Sequence, residues 1–363
     1  MRFTALVGAG TAALLTATSA HAHHPGGAGN VGGAGPIVTI SADTLAQGQS
    51  AVSIMFELTK IGAFSDAQLS DFASKHIHAH SMDAILSPSL AVAYGITNTL
   101  MISARLPYVS RTDIREGHHE HHHGAPATNE AVARGDADGI GDLSAMLQWR
   151  FVDNKESGTR WALLGGAKAP TGATDVKDKA GELFELEFQP GSGGWDWMLG
   201  LAASQSFGLL SFHANALYTF VGEGDQRTDL GDRFQYNLAV AYRLFGGSSG
   251  ESSGSRHMHL GGPPMYHGAG RSLKDHHEHT ESPAGPAFDL VLELNGEWHS
   301  RETIAGVEEP NSGGNVVYLA PGARLSGGRW SAFTSFGIPV VNNLYGVQAE
   351  PDYRLLSGIS VTF

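Results

Sequence analysis

The stretch that decides the fold reads RFQYNLAVAYRLF and covers residues 233–245. Apolar and aromatic residues occupy every second position from Phe234 to Leu244, and mostly small or polar residues lie between them. Because successive side chains of a β-strand point to opposite faces, the stretch predicts a strand with one apolar and one polar face. Residues 142–151 and 288–299 alternate in a similar way.

A soluble β-sandwich would show the same alternation, but three further features favour a membrane barrel. The alternating segments are about 9–12 residues long, which suits tilted strands that span a membrane. Aromatic residues stand at segment ends, and short turns alternate with longer polar loops. These features predict an all-β fold: a transmembrane antiparallel β-barrel of the outer-membrane type with about 12 strands. The predicted strands cover residues 48–60, 82–95, 99–112, 139–152, 160–171, 193–206, 209–222, 233–246, 287–300, 314–326, 329–339 and 353–363.

The composition agrees with this fold and excludes several classes of function. The chain has 363 residues, a net charge of −13, 48 glycines and no cysteine. Its acidic balance argues against a nucleic-acid partner, which would need clustered Lys and Arg. Without cysteine there is neither a disulfide framework nor a thiol nucleophile. No P-loop is present, and the glycine-rich run at 26–35 lacks a strand–helix context, so we predict no enzymatic activity.

The amino-terminal region divides into two parts. Residues 1–22 combine a positive start, an apolar run and the small-x-small pattern AHA, which predicts a cleaved export signal. Residues 23–47 are rich in glycine and lack a period, so we expect a flexible segment. The barrel then covers residues 48–363, and its expected location is the outer membrane of a Gram-negative bacterium.

Three His-rich segments interrupt the predicted barrel. Because 12 strands would leave both termini in the periplasm, the segments 65–81 and 113–138 become extracellular loops. The segment 247–286 becomes a long periplasmic connection.

Several short motifs resemble those of a known family. They lie at residues 139–143, 148–151, 166–172, 191–196, 292–297, 311–314 and 339–341. In this order they resemble the outer-membrane transporter family named "MetA-pathway of phenol degradation". The resemblance covers roughly residues 80–363 and implies a barrel transporter without enzymatic activity. By its name the family is associated with aromatic compounds.

The last predicted strand ends the chain at Phe363. A terminal Phe on an amphipathic strand resembles the signal that the outer-membrane assembly machinery reads. The expected partners are therefore this machinery, outer-membrane lipids and a small solute, while the oligomeric state stays open.

The predicted strand 287–300 carries an acidic stripe. Asp289, Glu293 and Glu297 stand four residues apart on its polar face, about 13 Å between neighbours, and His299 follows. The stripe could attract cations or bind a polar solute in the lumen. Alternatively, it could pair with arginines across a narrow barrel, which 12 strands would favour. The candidate lumen residues are Asp289, Glu293, Glu297, His299, Arg150 and Arg324, with Arg105 and Arg354 as further possible ion-pair partners.

Histidine clusters form the second set of candidate residues. Imidazole binds Zn, Cu and Ni, so short His-rich tracts are candidate metal sites. The candidate ligands are His76, His78, His80, His118, His119, His121, His122, His123, His257, His259, His276, His277 and His279. In an extended chain His76, His78 and His80 would point the same way and could form a tridentate site. The alternative is a set of solvated tracts with adventitious affinity.

The sequence thus leaves three functional hypotheses. The first is a passive transporter or pore for a small solute, with an aromatic or hydrophobic solute as one option. The second is a divalent-metal-binding outer-membrane protein that captures Zn, Cu or Ni with its His-rich loops. The third is an outer-membrane lipid hydrolase. No cofactor is required by the first hypothesis.

Overall fold

The computed structural model describes residues 35–120, 128–246 and 285–363, and these ranges contain a closed antiparallel barrel of 12 wall strands. The predicted fold class is therefore confirmed. The strands are β1 (Ser50–Ile61), β2 (His80–Ser81), β3 (Ala84–Leu86), β4 (Ser89–Gly95), β5 (Leu100–Glu120), β6 (Thr128–Ile140), β7 (Leu143–Asn154), β8 (Thr159–Ala169), β9 (Asp196–Phe207), β10 (Leu210–Phe220), β11 (Thr228–Asp229), β12 (Arg233–Phe245), β13 (Ala287–His299), β14 (Thr303–Ile304), β15 (Val307–Glu308), β16 (Gly314–Gly327), β17 (Trp330–Leu344) and β18 (Pro351–Thr362).

The wall closes where the first strand meets the last. β1 pairs with β18 from Ala51 opposite Thr362 onward, and its other edge pairs with β3 and β4. β3 and β4 together make one wall strand, interrupted just before β4 at Pro88, which lacks the N–H that a ladder needs. Five short or distal strands, namely β2, β6, β11, β14 and β15, lie in the connections rather than in the wall.

The alternation seen in the sequence separates the two faces of the wall. In β12, Leu238 is 58% exposed on the outer face, whereas Asn237 is 7% exposed in the lumen. The outer surface also carries exposed aromatic side chains towards both ends of the strands. They are Tyr94, Trp149, Phe151, Trp161, Tyr242 and Trp330 towards one end, and Tyr108, Trp195, Trp197, Phe220, Phe234 and Phe336 towards the other. This apolar surface with aromatic rims is typical of an outer-membrane barrel.

The two ends of the barrel differ in their connections. Short turns at 96–99, 155–158, 208–209 and 328–329 join strands at one end, which is the periplasmic end by the usual rule for such barrels. Longer loops stand at the opposite, extracellular end.

The extracellular connections are more regular than the sequence predicts. Helix α1 (Asp66–Ser74) lies in the segment expected to be a loop, because Ser65 and Gln68 form a capping box at its start. β5 continues far beyond the wall and pairs with β6 as a hairpin inside the predicted loop 113–138. Gly117 of this hairpin permits the close approach of α1, since a Cβ there would lie 2.5 Å from the Leu69 carbonyl oxygen.

Over 35–120, 128–246 and 285–363, no helix is both long and apolar enough to cross a membrane. Some predictions fall outside these ranges. They are the export signal at 1–22, the first part of the segment 23–47, nearly all of the periplasmic connection 247–286, and the candidate ligands His121, His122, His123, His257, His259, His276, His277 and His279.

Residues 35–47 correct the expectation of a flexible segment over 23–47. They follow a defined path inside the lumen, where Ile37, Ile40 and Ala42 are buried against wall side chains. The path ends at the periplasmic rim, where the Gly48 N–H donates to the Gly95 carbonyl oxygen at 2.9 Å. The glycine content of the segment does not predict this path, because polar side chains of strands distant in the sequence hold the segment in place.

Candidate functional site

A single carboxylate holds the start of the lumen segment. The Glu293 carboxylate accepts the backbone N–H groups of Ile37, Val38 and Thr39 at 3.0–3.1 Å. Glu293 is only 1% exposed, so these charge-assisted bonds satisfy it in place of water. Glu293 is thus the anchor of a segment that we call the plug, residues 35–47.

Further wall side chains hold the plug towards the periplasmic end. Asn215 accepts the Ile40 N–H at 2.8 Å, and the Ser204 hydroxyl accepts the Ala42 N–H at 2.9 Å. The Gln148 amide donates to the carbonyl oxygens of residues 41 and 43 at 2.9 and 2.7 Å. These partners come from β7, β9 and β10, which lie close together in the wall, whereas Glu293 holds the plug from β13.

Apolar contacts add to these hydrogen bonds. Ile40 and Ala42 lie in one buried cluster with Met146, Ala162, Leu164, Met198, Ala202 and Leu217. Ile37 belongs to a second cluster with Ala241, Val291 and Leu356. Burial of this surface contributes about 25 cal/mol for each Å² removed from water, so plug and wall stabilise each other.

The acidic stripe on β13 is present in the lumen, but each carboxylate has a different partner. Asp289 accepts from the Arg243 guanidinium at 2.7 and 3.3 Å and is fully buried. Glu293 holds the plug. Glu297 accepts from the Gln235 amide at 2.8 Å and contacts the His299 ring. The carboxylates of the stripe are therefore mainly bound by groups of the protein itself.

Of the arginines expected to pair with the stripe, Arg324 lies beside it, directly opposite Asp289 in the pairing of β13 with β16, while the other three contact other groups. Arg324 donates to the Pro36 carbonyl oxygen and stacks over Phe333, with 5.3 Å to the ring centroid. Arg150 lies at the periplasmic rim, where it donates to the Asn98 carbonyl oxygen at 2.7 Å. Arg105 faces Glu57 at 3.5 Å, and Arg354 donates to Asn295 at 3.0 Å. The partner that sequence reasoning missed is Arg243, although alternation already placed it on the polar face of β12.

Above the plug, the lumen contains a small inner chamber of about 100 Å³. Its ionisable lining residues are Arg105, Arg111, Asp142, Lys168, Glu187, Arg233, His299 and Glu302. Lys168 joins Asp142 at 2.8 Å and Asp196 at 3.2 Å on one side of the chamber. Apolar side chains, among them Val109, Leu186 and Leu230, complete the lining.

A larger cavity of about 220 Å³, the vestibule, lies among the extracellular connections. Its lining comes from residues 61–82, the 3₁₀ turn Leu186–Phe188 and the segments 226–228, 302–311 and 347–349. Leu186, Glu187 and Glu302 line both cavities, so these three side chains separate the vestibule from the chamber.

The vestibule wall carries a cluster of imidazoles and carboxylates. The Nε2 atoms of His78 and His80 are 3.3 Å apart. Glu185 oxygens lie 3.8 Å from His78 Nε2 and 3.5 Å from His80 Nε2. On the far side of the His80 ring, Nδ1 is 2.7 Å from a Glu187 oxygen. We call His78, His80 and Glu185, together with Glu187, the vestibule cluster.

His76 does not belong to this cluster, which corrects the expected tridentate arrangement of His76, His78 and His80. His76 follows the end of α1 and has a positive φ of 56°, so the chain is not extended there. Its ring instead contacts His119 edge-on, with centroids 4.7 Å apart. His118 is exposed on the β5–β6 hairpin.

The electrostatics of the vestibule are dominated by carboxylates. Burial alone would lower the pKa of His80, but the hydrogen bond and charge of Glu187, with Glu185 and Glu116, raise it to about 9. Burial raises the pKa of Glu302 well above its usual value, and the charge of Glu187 adds to this effect. Burial also opposes ionisation of Glu187, yet its bond to His80 brings its pKa below the usual value. The site therefore favours bound positive charge.

Sequence reasoning did not single out Glu185 and Glu187. Both lie in a segment that the alternation leaves as a loop, more than 100 residues from the histidines. The one feature of the sequence that could have drawn attention to them is their spacing of two residues, which is also the spacing of His78 and His80. In an extended chain, two residues with this spacing point to the same side.

Comparisons with known proteins agree with the barrel. A family model described as "Putative MetA-pathway of phenol degradation" matches residues 91–254, which confirms the resemblance found in the sequence. An outer-membrane channel from Pseudomonas putida F1 has a similar structure, with 12% identity and a TM-score of 0.55, over 89% of this chain and 98% of that one. No curated protein sequence matches the chain.

Two other solved structures are more distant. LpxR from Salmonella typhimurium has 13% identity and a TM-score of 0.40, over 86% of this chain and 100% of its own. The CymD monoaromatic hydrocarbon channel has 10% identity and a TM-score of 0.38, over 88% of each chain. Likenesses at this level support no inference about function. The barrel fold and its apolar outer surface place the protein in the outer membrane of a Gram-negative bacterium.

Proposed function

We propose that this protein is a narrow outer-membrane channel for a small solute, and that it is closed while the plug occupies the lumen. The observation that carries this proposal is the order of spaces along the barrel. A vestibule at the extracellular end leads past Leu186, Glu187 and Glu302 to a chamber, and the plug fills the lumen beyond it. Passage therefore requires the plug to shift.

The sizes of the two spaces limit the solute. An engineered apolar cavity of about 150 Å³ in another protein holds one benzene molecule. The vestibule, at about 220 Å³, could hold one such ring, whereas the chamber, at about 100 Å³, would have to widen slightly. The proposed solute is thus no larger than about one aromatic ring with a few substituents.

The lining suggests a solute with one polar group. The chamber combines apolar side chains with Arg105, Arg111 and Arg233, which can donate hydrogen bonds to a hydroxyl or carboxylate oxygen. A phenol-like molecule has this combination of an apolar ring and one polar oxygen. The description of the matching family, which refers to phenol degradation, supports the same class of solute.

A catalytic role has less support, and we propose none. The lumen does hold a Ser–His contact, with the Ser204 hydroxyl 2.9 Å from His213 Nδ1. However, the same hydroxyl accepts the Ala42 N–H of the plug, and the pair faces the lumen rather than lipid. Its place is that of a plug contact rather than an outward-facing lipase nucleophile.

The test is to detach the plug at its anchor. In Glu293→Ala the N–H groups of Ile37, Val38 and Thr39 lose a charged acceptor, and each such bond contributes about 1.5–3 kcal/mol. We expect planar-bilayer conductance and flux of phenol into liposomes to rise well above wild type.

The matched control is Glu297→Ala, which removes a carboxylate from the same stripe one step along β13. Glu297 contacts Gln235 and His299, so its loss should leave the plug attached and the flux near wild type. Both variants are first checked for a folded barrel by their faster migration on unheated detergent gels. Equal flux in the two variants, or none in either despite folded barrels, would contradict the proposal.

A further inference from the structure

The distance between two imidazole nitrogens in the vestibule cluster matches the distance between two nitrogen ligands of one metal ion. Two nitrogens each about 2.05 Å from a tetrahedral zinc ion lie roughly 3.3 Å apart. His78 Nε2 and His80 Nε2 are 3.3 Å apart, and both belong to rings that line the same cavity. The two rings are edge-on to each other, with centroids 4.4 Å apart, which is compatible with two ligands to one ion.

A carboxylate completes a set of three ligands. One potential ligand atom from each of His78, His80 and Glu185 can be chosen so that all lie within 4.8 Å of one another. Glu185 approaches the two imidazole nitrogens to 3.8 and 3.5 Å, slightly beyond the spacing of ligands around zinc. A small rotation of this partly exposed side chain would close the difference. Two histidines and one glutamate form a ligand set that zinc sites commonly use.

Glu187 supplies the support that a ligating histidine usually has. It accepts the Nδ1 proton of His80 at 2.7 Å, which fixes the ring and leaves Nε2 to face His78 and Glu185. His80 is also held in β2, which pairs with β5, so its position is set before any ion arrives. Such preorganisation reduces the entropy lost on binding.

The charges around the cluster point the same way. Glu185 and Glu187 line the vestibule beside the two imidazoles, whereas no Lys or Arg is among its lining residues within the described chain. A divalent cation would offset this excess of negative charge in a partly desolvated place.

From this geometry we propose that His78, His80 and Glu185 bind one Zn²⁺ ion in the vestibule, with Glu187 as the positioning residue for His80. Three protein ligands leave one tetrahedral position open to water or to a solute oxygen in the vestibule. This site does not depend on the proposed channel: metal binding and solute flux are measured separately, so either proposal can fail alone.

The experiment uses the full-length protein in detergent without an affinity tag. Calorimetry with Zn²⁺ measures the tightest site, and visible absorption with Co²⁺ reports its geometry, because tetrahedral Co²⁺ absorbs far more strongly than octahedral Co²⁺. We expect one tight site per chain and a tetrahedral spectrum. His78→Ala, His80→Ala and Glu185→Gln should each lose the tight site and the spectrum.

Two controls distinguish this site from other histidines and carboxylates. His118→Ala changes an exposed histidine of the β5–β6 hairpin, and Glu223→Gln changes an exposed carboxylate of another extracellular loop. Both should retain wild-type affinity. Glu187→Gln keeps an acceptor for His80 but loses its charge, and we expect affinity to fall by about 10–100-fold with the tetrahedral spectrum retained.

The outcomes are separable. A tight site that survives in the double variant His78→Ala/His80→Ala would show that the metal binds elsewhere. An octahedral spectrum that Glu185→Gln leaves unchanged, or no tight binding by the wild type, would equally overturn the proposal. Because the changes lie outside the wall, barrel folding is expected to persist, and gel migration of unheated samples verifies it for every variant.

Discussion

The lower lumen, which is the part of the lumen that holds the plug, and the vestibule both contain buried or half-buried carboxylates. The two regions differ in the partners that these carboxylates have. In the lower lumen, Asp289 is matched by Arg243, and Glu293 is matched by three N–H groups of the plug. In the vestibule, Glu185 and Glu187 both meet His80, and Glu302 lies close enough to affect them. Charges matched within the chain stabilise a closed structure, whereas an excess of one sign provides a place for a ligand.

The largest expected effect comes from breaking a match in the lower lumen. Asp289→Ala leaves the half-buried Arg243 guanidinium without its fully buried carboxylate, and the loss of one member of a buried pair costs up to about 3–5 kcal/mol. We expect the free energy of unfolding, measured by urea titration in lipid vesicles with tryptophan fluorescence, to fall by this amount.

Replacement of both partners sharpens this test. In Asp289→Leu/Arg243→Met no charge remains unmatched, so most of the lost stability should return. If Asp289→Ala is as stable as wild type, or if the double variant is no better than the single one, the pairing does not stabilise the lumen as we infer.

The sequence could predict those parts of this contrast that depend on the residue pattern within a single strand. The alternation of 233–245 gives the two faces of β12, and the spacing of Asp289, Glu293 and Glu297 gives the stripe in the lumen. The partners of these carboxylates depend on strand register, which places Arg243 directly opposite Asp289. Periodicity within one strand contains no information about that register.

The plug and the vestibule cluster were beyond such reasoning for a related reason. The plug uses backbone N–H groups, which every non-proline residue has, so nothing in residues 35–47 identifies them as ligands of Glu293. The cluster joins His78 and His80 to a carboxylate on another loop. His76 does not belong to it, because the backbone has a positive φ at this residue, just after α1. Neither the long-range contact nor the turn has a signature in the spacing of the histidines.

A smaller effect is expected from a matched charge at the extracellular end. Arg134 of β6 contacts Glu116 at 2.6 Å and both Asp178 and Glu182 at 2.7 Å, but it is partly exposed. Arg134→Met should therefore cost only about 1 kcal/mol or less for each pair. We expect faster proteolysis of the β5–β6 hairpin without a change in unfolding of the barrel. Arg301→Met, which removes an exposed pair with Glu308, is the control and should leave the hairpin protected.

The same contact predicts a dependence on pH. Burial would raise the pKa of Asp178, but hydrogen bonds from backbone N–H groups and Arg134 bring it below its usual value. A carboxylate whose pKa is lowered in the folded state stabilises that state at pH values above its usual pKa of about 3.9. This stabilisation is lost as the pH falls below that value and through the lowered pKa. Hairpin protection from pepsin should decrease as the pH is lowered through this range in wild type, and less so in Arg134→Met. An unchanged profile between the two would contradict this assignment.

The central claim is that residues 35–47 close the lumen, and a reversible lock tests it most directly. The chain contains no cysteine, so Ala42→Cys/Ser204→Cys introduces a single thiol pair at a contact where N–H and hydroxyl are 2.9 Å apart. In the Glu293→Ala background, we predict low conductance after oxidation and a several-fold rise after reduction, while each single-cysteine variant stays open throughout. If oxidised protein with a disulfide verified by mass spectrometry conducts as well as the reduced protein, the plug does not close this channel.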